Sequence, residues 1–198
     1  MTRSRSRSAA AVLLAALTVS ACSSSAEEAG DAAPVPAPTT ATATGGRCPD
    51  LPPAEPRADG LPDLELPCLG EGPAVRLSDL RGVPTVVNVW AAWCSNCARE
   101  MPLFAEVSAR LGEDVRFLGV HYKATRDQGL QSETDFGVPF PSVYDEDGDR
   151  VVRRLGAYAP PQTFFVTADG RIAGREIGEI SSRRELERLL RRYLGVAL

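Results

Sequence analysis

The feature that most constrains this chain is Trp93-Cys94-Ser95-Asn96-Cys97, a Cys-x-x-Cys that follows the β-branched run Pro84-Thr85-Val86-Val87-Asn88-Val89-Trp90. Near-continuous apolar character of that kind suits a strand buried in a sheet, and the Arg81-Gly82 turn introduces it. After Cys97, apolar residues at Met101, Phe104, Ala105, Val107 and Leu111 recur at helical spacing and stop at Gly112, a usual C-terminal helix residue. Pro102 is expected to kink this helix. The cysteines therefore stand where a strand ends and a helix begins.

That placement has chemical consequences. The N–H groups and macrodipole of a helix N-terminus stabilise an anion, which favours the thiolate of the first cysteine. Cys94 is the predicted nucleophile, reacting through a mixed disulfide, and Cys97, one turn further on the same side, is placed to resolve it. Half of a zinc site and a purely structural disulfide are the competing readings. Zinc would want a second pair of ligands, and the chain offers only His121 with Cys48 and Cys68. No metal or other cofactor is expected.

The rest of the chain reads as alternating strands and helices. Val115 to Tyr122 is a second buried-type strand, Thr125 to Phe136 a helix, and Pro141 to Tyr144 an extended piece before the Asp147-Gly148 turn. Thr163 to Thr167 and Arg171 to Gly178 flank Ala168-Asp169-Gly170, which has the composition of a hairpin turn. Ser181 to Tyr193 closes the chain as an amphipathic helix, with a serine cap and Leu186, Leu189, Leu190 and Tyr193 on its apolar face. The order is βαβ followed by ββα.

Before this domain come segments of a different kind. Arg3, Arg5 and Arg7 precede an apolar run from Ala9 to Val19 that is too short to span a bilayer, and small residues follow. Residues 1–21 read as a signal peptide, so the chain is expected to be exported. Val19-Ser20-Ala21-Cys22 fits a lipobox, in which Cys22 is acylated, while Val19-Ser20-Ala21 alone fits ordinary cleavage and secretion. Acylation is preferred because it removes the odd thiol of an exported protein. Residues 22–47, rich in Ala, Pro, Thr and Ser, cannot bury enough apolar surface to order themselves and read as a tether, leaving 48–198 as one domain. The net charge of −4 includes the three leading arginines, and no basic block remains to bind nucleic acid.

Val87-Asn88-Val89-Trp90-Ala91-Ala92-Trp93-Cys94-Ser95-Asn96-Cys97-Ala98-Arg99-Glu100-Met101-Pro102 resembles the active-site segment of the TlpA/ResA group of the thioredoxin superfamily. Pro161-Gln162-Thr163-Phe164-Phe165-Val166 with Asp169-Gly170 resembles that group's cis-proline segment and hairpin. The likeness runs from about Leu77 to Tyr193. It implies an α/β thioredoxin fold, a central mixed sheet flanked by helices, here with an N-terminal extension. It further implies membrane anchoring outside the cytoplasm and dithiol-disulfide exchange with exported proteins and a membrane redox partner, in some members for cytochrome c maturation.

By the same resemblance Pro161 is the cis-proline facing the cysteines, and the residue before it pairs its main chain with substrate. Here that residue is Pro160, which has no N–H to offer, so one docking hydrogen bond is lost. Glu100, three residues after Cys97, corresponds to an acid that exchanges protons with the resolving thiol; an exposed helix-surface glutamate is the alternative. Asn88 replaces the buried Asp of thioredoxin itself and cannot act as a base. Asn96 stands where a proline often stiffens the helix start, which leaves the direction of electron flow open.

Four positions remain. Cys48 and Cys68 are expected to form a structural disulfide that staples the extension, closing a loop worth roughly 3 kcal/mol, with an electron-relaying pair as the rival. Trp90 and Trp93 are expected around the cysteines, limiting water, with Trp93 assisting docking. His121, ending the second strand, is expected to be structural. The function that follows is extracytoplasmic thiol-disulfide oxidoreduction, in cytochrome c maturation or oxidative folding. The alternative is a copper or zinc chaperone using Cys94 and Cys97.

Overall fold

The computed structural model describes residues 46–198. The signal peptide, Cys22 and nearly all of the tether lie outside them. Two short strands, β1 (Glu65–Leu66) and β2 (Val75–Arg76), pair antiparallel and lead into a 3-10 turn at Leu77–Asp79. Next come β3 (Thr85–Trp90), α1 (Ser95–Leu111), β4 (Arg116–Tyr122), α2 (Arg126–Phe136), β5 (Ser142–Asp145), a π-helical turn at Val151–Leu155, β6 (Gln162–Val166), β7 (Ile172–Ile177) and α3 (Arg183–Leu194). The five longer strands form one mixed sheet in the order β5-β4-β3-β6-β7, in which β4 lies parallel to both β3 and β5, and β6 antiparallel to both β3 and β7.

Local chemistry explains the element ends. Thr125 and Gln128 form a reciprocal capping box at the start of α2, and Gly137 ends it with φ 65 in the left-handed region. Ser182 Oγ accepts from Glu185 N–H to start α3. At the hairpin, Gly170 has φ 89, where a side chain would be strained, and its N–H donates to Thr167 O. Pro102 does not break α1, which continues through it as a single helix.

Alternation along the strands divides the core between the two faces of the sheet. Val86, Trp90, Phe117 and Phe165 face α1 and α3 and pack with Met101, Phe104, Val107, Leu186, Leu189 and Leu190. Val87, Val89, Leu118, Val120, Phe164 and Val166 face the other way. The cover on that second face is the N-terminal extension, through Leu61, Leu64, Leu66, Val75, Leu77 and Leu80, together with Val151 and Leu155. Each such buried side chain contributes about 1.5–3 kcal/mol, so the extension completes the core rather than decorating it. Its start is also packed: a side chain on Gly46 would meet Pro139 O at 2.8 Å, just before β5. A disulfide joins Cys48 to Cys68.

Candidate active site

β3 ends at Trp90, and Ala91 to Trp93 carry the chain to Cys94, the N-cap of α1 with an extended backbone (φ −92, ψ 103). Because the first helical N–H groups have no partner within the helix, they point at whatever occupies the cap. The N–H of Cys97 donates to Cys94 Sγ at 3.1 Å. The two cysteines are joined as a disulfide; Cys94 is 7% exposed and Cys97 0%. The arrangement stabilises negative charge on the Cys94 sulfur, leaves that sulfur within reach of solvent and hides its partner.

Glu100 departs from the surface alternative raised by its sequence position. It is fully buried, on the stripe of α1 that carries Cys97 and Phe104. Oε1 accepts from Asn88 Nδ2 at 2.9 Å, and Oε2 accepts from the Ile180 N–H at 3.0 Å. Burial pushes its carboxyl up to about 7, with the bonds from Ile180 and Asn88 pulling the other way and the charge of Glu179 adding to the rise. A group that changes protonation near neutrality thus sits one turn from the resolving cysteine. Asn88 also donates to Thr163 Oγ1 at 3.1 Å, from the position directly opposite it on β6.

The Pro160-Pro161 bond is cis. Pro161 is buried and its carbonyl accepts from Gly178 N–H at 3.0 Å, while Pro160 is half-buried. Gln162 pairs with Val89 on one side and Ile177 on the other, which sets Pro161 at the end of the sheet from which β3 runs to the cysteines. Trp93 does not shield the cysteines as expected. It remains 60% exposed, its Nε1 donates to Lys123 O at 3.1 Å, and its ring lies 6.3 Å from that of Tyr122. A short loop before α1 holds it outward, leaving Trp90, fully buried, as the tryptophan packed with the cysteines.

His121 is buried against Trp90, with ring centroids 4.5 Å apart, and both ring nitrogens lack a hydrogen-bond partner. Burial lowers its pKa to about 4. Among the described residues no group of three or more His, Cys, Asp or Glu side chains is close enough to hold a metal, so His121 does not join Cys94 and Cys97 in a ligand set. Cys48 and Cys68 lie under the opposite face of the sheet, where Cys68 bridges to Val143.

Sequence reasoning missed Thr163 and Ile180 as partners of the site. It also missed Glu133, fully buried with neither carboxyl oxygen hydrogen-bonded, its carboxyl pushed up to about 7 by burial. The signals were present in part: a polar Asn88 in the middle of a buried strand needs a partner.

Comparison with known proteins agrees with this geometry. Residues 58–175 match the AhpC/TSA family. The thiol:disulfide interchange protein DsbE of Vibrio cholerae is 34% identical over 135 residues, covering 67% of this chain and 71% of that protein. Its namesake in Allochromatium vinosum is 32% identical over 139 residues, covering 68% and 75%. The solved structure of MTB DsbF, in its mixed oxidized and reduced forms, is 28% identical with a TM-score of 0.57 and covers 64% of this chain and 91% of that one. The matched span contains the cysteine helix, the Pro160-Pro161 segment and the sheet that joins them, and on that ground the chain belongs to the AhpC/TSA family of the thioredoxin superfamily.

Proposed function

We propose that this thiol-disulfide oxidoreductase exchanges dithiols and disulfides with exported proteins through Cys94 and Cys97, with Cys94 as the attacking sulfur. The observation that carries the reading is the Cys97 N–H aimed at the less buried Cys94 sulfur. In the reducing direction, the Cys94 thiolate attacks a substrate disulfide, forming a Cys94–substrate bond and releasing one substrate thiolate. Glu100 as carboxylate takes the proton of the Cys97 thiol. The Cys97 thiolate then attacks Cys94 Sγ, which re-forms the internal disulfide and releases the second substrate thiolate. Two electrons pass from the pair to the substrate, and the oxidising direction is the reverse.

Docking is assigned to Trp93, Pro160 and Pro161. Exposed Trp93 offers apolar area beside Cys94, and Pro160, lacking an N–H, can present only its carbonyl to a substrate strand. Residues 1–21 are proposed as a signal peptide, Cys22 as an acylated anchor, the following segment as a tether, and Cys48–Cys68 as a structural bridge. Cytochrome c maturation and oxidative folding are the two settings that suit an exported exchanger, in each case with a membrane redox partner.

Equilibration of the chain with glutathione buffers, alongside Cu(I) titration, tests the central claim. A measurable two-electron potential for Cys94–Cys97 without tight copper binding is the expected result; tight copper binding without a potential overturns it in favour of a metal chaperone. A Cys97→Ser trap should accumulate mixed disulfides with exported proteins, and more of them with Pro160→Val if the missing N–H limits docking. Radioactive fatty acid should label the wild-type chain and not Cys22→Ala.

A further inference from the structure

The Glu100 carboxyl is surrounded by donors that suit only one of its two forms. Asn88 Nδ2 and Ile180 N–H each give a hydrogen bond to one carboxyl oxygen, which serves a carboxylate. Once Glu100 has taken a proton, its new O–H needs an acceptor, and burial excludes water from the site. An acceptor stands ready: Asn88 Oδ1 is buried and makes no hydrogen bond. Thr163, across the β3–β6 pair, holds the same amide through an oxygen that can either accept or donate.

We propose that Asn88 and Thr163 are positioning residues that serve both protonation states of Glu100 by reversing together. With Glu100 as carboxylate, Asn88 Nδ2 donates to Glu100 Oε1 and to Thr163 Oγ1, as the structure shows. With Glu100 as carboxylic acid, the Asn88 amide turns by half a rotation about its last torsion. Oδ1 then accepts from the Glu100 O–H and from the Thr163 hydroxyl. One proton moves from Cys97 to Glu100, the bonds from Asn88 to Glu100 and Thr163 reverse direction, and the Glu100 O–H gains an acceptor while Nδ2 takes the place that Oδ1 held without a partner. An aspartate at position 88 would lack this property, since a carboxylate cannot donate to Glu100 and would add a second negative charge beside it.

This inference rests on Glu100 acting as the proton acceptor of Cys97. The charged group acting on Glu100 is Glu179 before α3, itself paired with Arg99 at 2.5 Å; Cys97 lies three residues earlier among the buried residues of α1, and β3 and β6 contribute the neutral Asn88 and Thr163. Loss of Thr163 frees the amide, so the carboxylate is less well held and a larger fraction of Glu100 is protonated at neutral pH.

The test is the stopped-flow reaction of the full chain, reduced at Cys94–Cys97, with 5,5′-dithiobis(2-nitrobenzoate), followed across pH. The first chromophore release reports Cys94; the second reports resolution by Cys97. In Thr163→Val the second phase is expected to slow by about three- to tenfold at pH 7, the size of one lost hydrogen bond, and its pH midpoint to move upward. The first phase should be unchanged, and Thr163→Ser should restore the wild-type profile. Asn88→Asp should shift the midpoint further in the same direction. Second-phase profiles of Thr163→Val and Asn88→Asp that superimpose on wild type, while Glu100→Gln alters its own, overturn the reversal and leave Glu100 as acceptor. A Glu100→Gln profile identical to wild type overturns both.

Discussion

The backbone N–H of Cys97 points at the sulfur of Cys94, 3.1 Å away, while the sulfur of Cys97 itself is sealed inside the helix–sheet interface. One residue of the pair thus supplies the electrostatics and the other the less deeply buried sulfur. In the reduced protein, iodoacetamide should therefore alkylate Cys94 before Cys97, by at least about tenfold in rate, because only the former combines access with a helix-start anion site. Peptide mass spectrometry of briefly quenched samples checks this, and equal labelling would remove the assignment of Cys94 as nucleophile.

Glu133 makes a prediction about stability rather than catalysis. Its carboxyl, like that of Glu100, is pushed by burial from 4.5 to about 7. Between those values the folded chain holds more protons than the unfolded chain, so each group's contribution to stability falls as pH rises through that window. His121, lowered from 6.5 to about 4, has the opposite sign: the unfolded chain binds the extra proton between those values, and its contribution grows with pH there. In urea unfolding, Glu133→Gln should gain about 2–3 kcal/mol on wild type between pH 5 and pH 8. Parallel stability curves would show that Glu133 is ionised in the folded state.

The strand and cysteine helix were legible because their signals are local: a β-branched run, then apolar residues at helical spacing ending at Gly112. The extension was not. Strands of two residues, such as Glu65–Leu66, are too short to show any alternation, and their pairing with Val75–Arg76 is fixed by the core they cover. The position of Glu100 was more readable than the charge suggested. It lies between Cys97 and Phe104 on the buried stripe of α1, so helical spacing pointed inward where residue type pointed outward. Its partners Thr163 and Ile180 lie far along the chain, and only the packed sheet brings them in.

Joining Cys48 to Cys68, 20 residues apart, restrains the segment that covers Val87 and Val89. The double variant Cys48→Ala/Cys68→Ala should lose about 3 kcal/mol in chemical denaturation. Disulfide exchange by Cys94 should persist at temperatures where the variant stays folded. Loss of exchange in a folded variant would instead support a relay between the two pairs.

Gly119 is a steric requirement of the sheet. A methyl group there would overlap Ser142 Oγ and come within 2.7 Å of Trp90 Nε1. Gly119→Ala should lower stability by about 1–3 kcal/mol, and the thermal midpoint should fall accordingly. An unchanged midpoint would mean that β5 can slide away from β4 at little cost.

Gly46 meets the domain beside Pro139 and Pro141, where the parallel strands begin, whereas Cys94 follows the strand end at Trp90. The first described residues therefore lie at one pole of the sheet and the cysteine pair at the other. The entry point at Gly46 thus lies away from Cys94, and whatever occupies it does not compete with a substrate for space beside the cysteine pair.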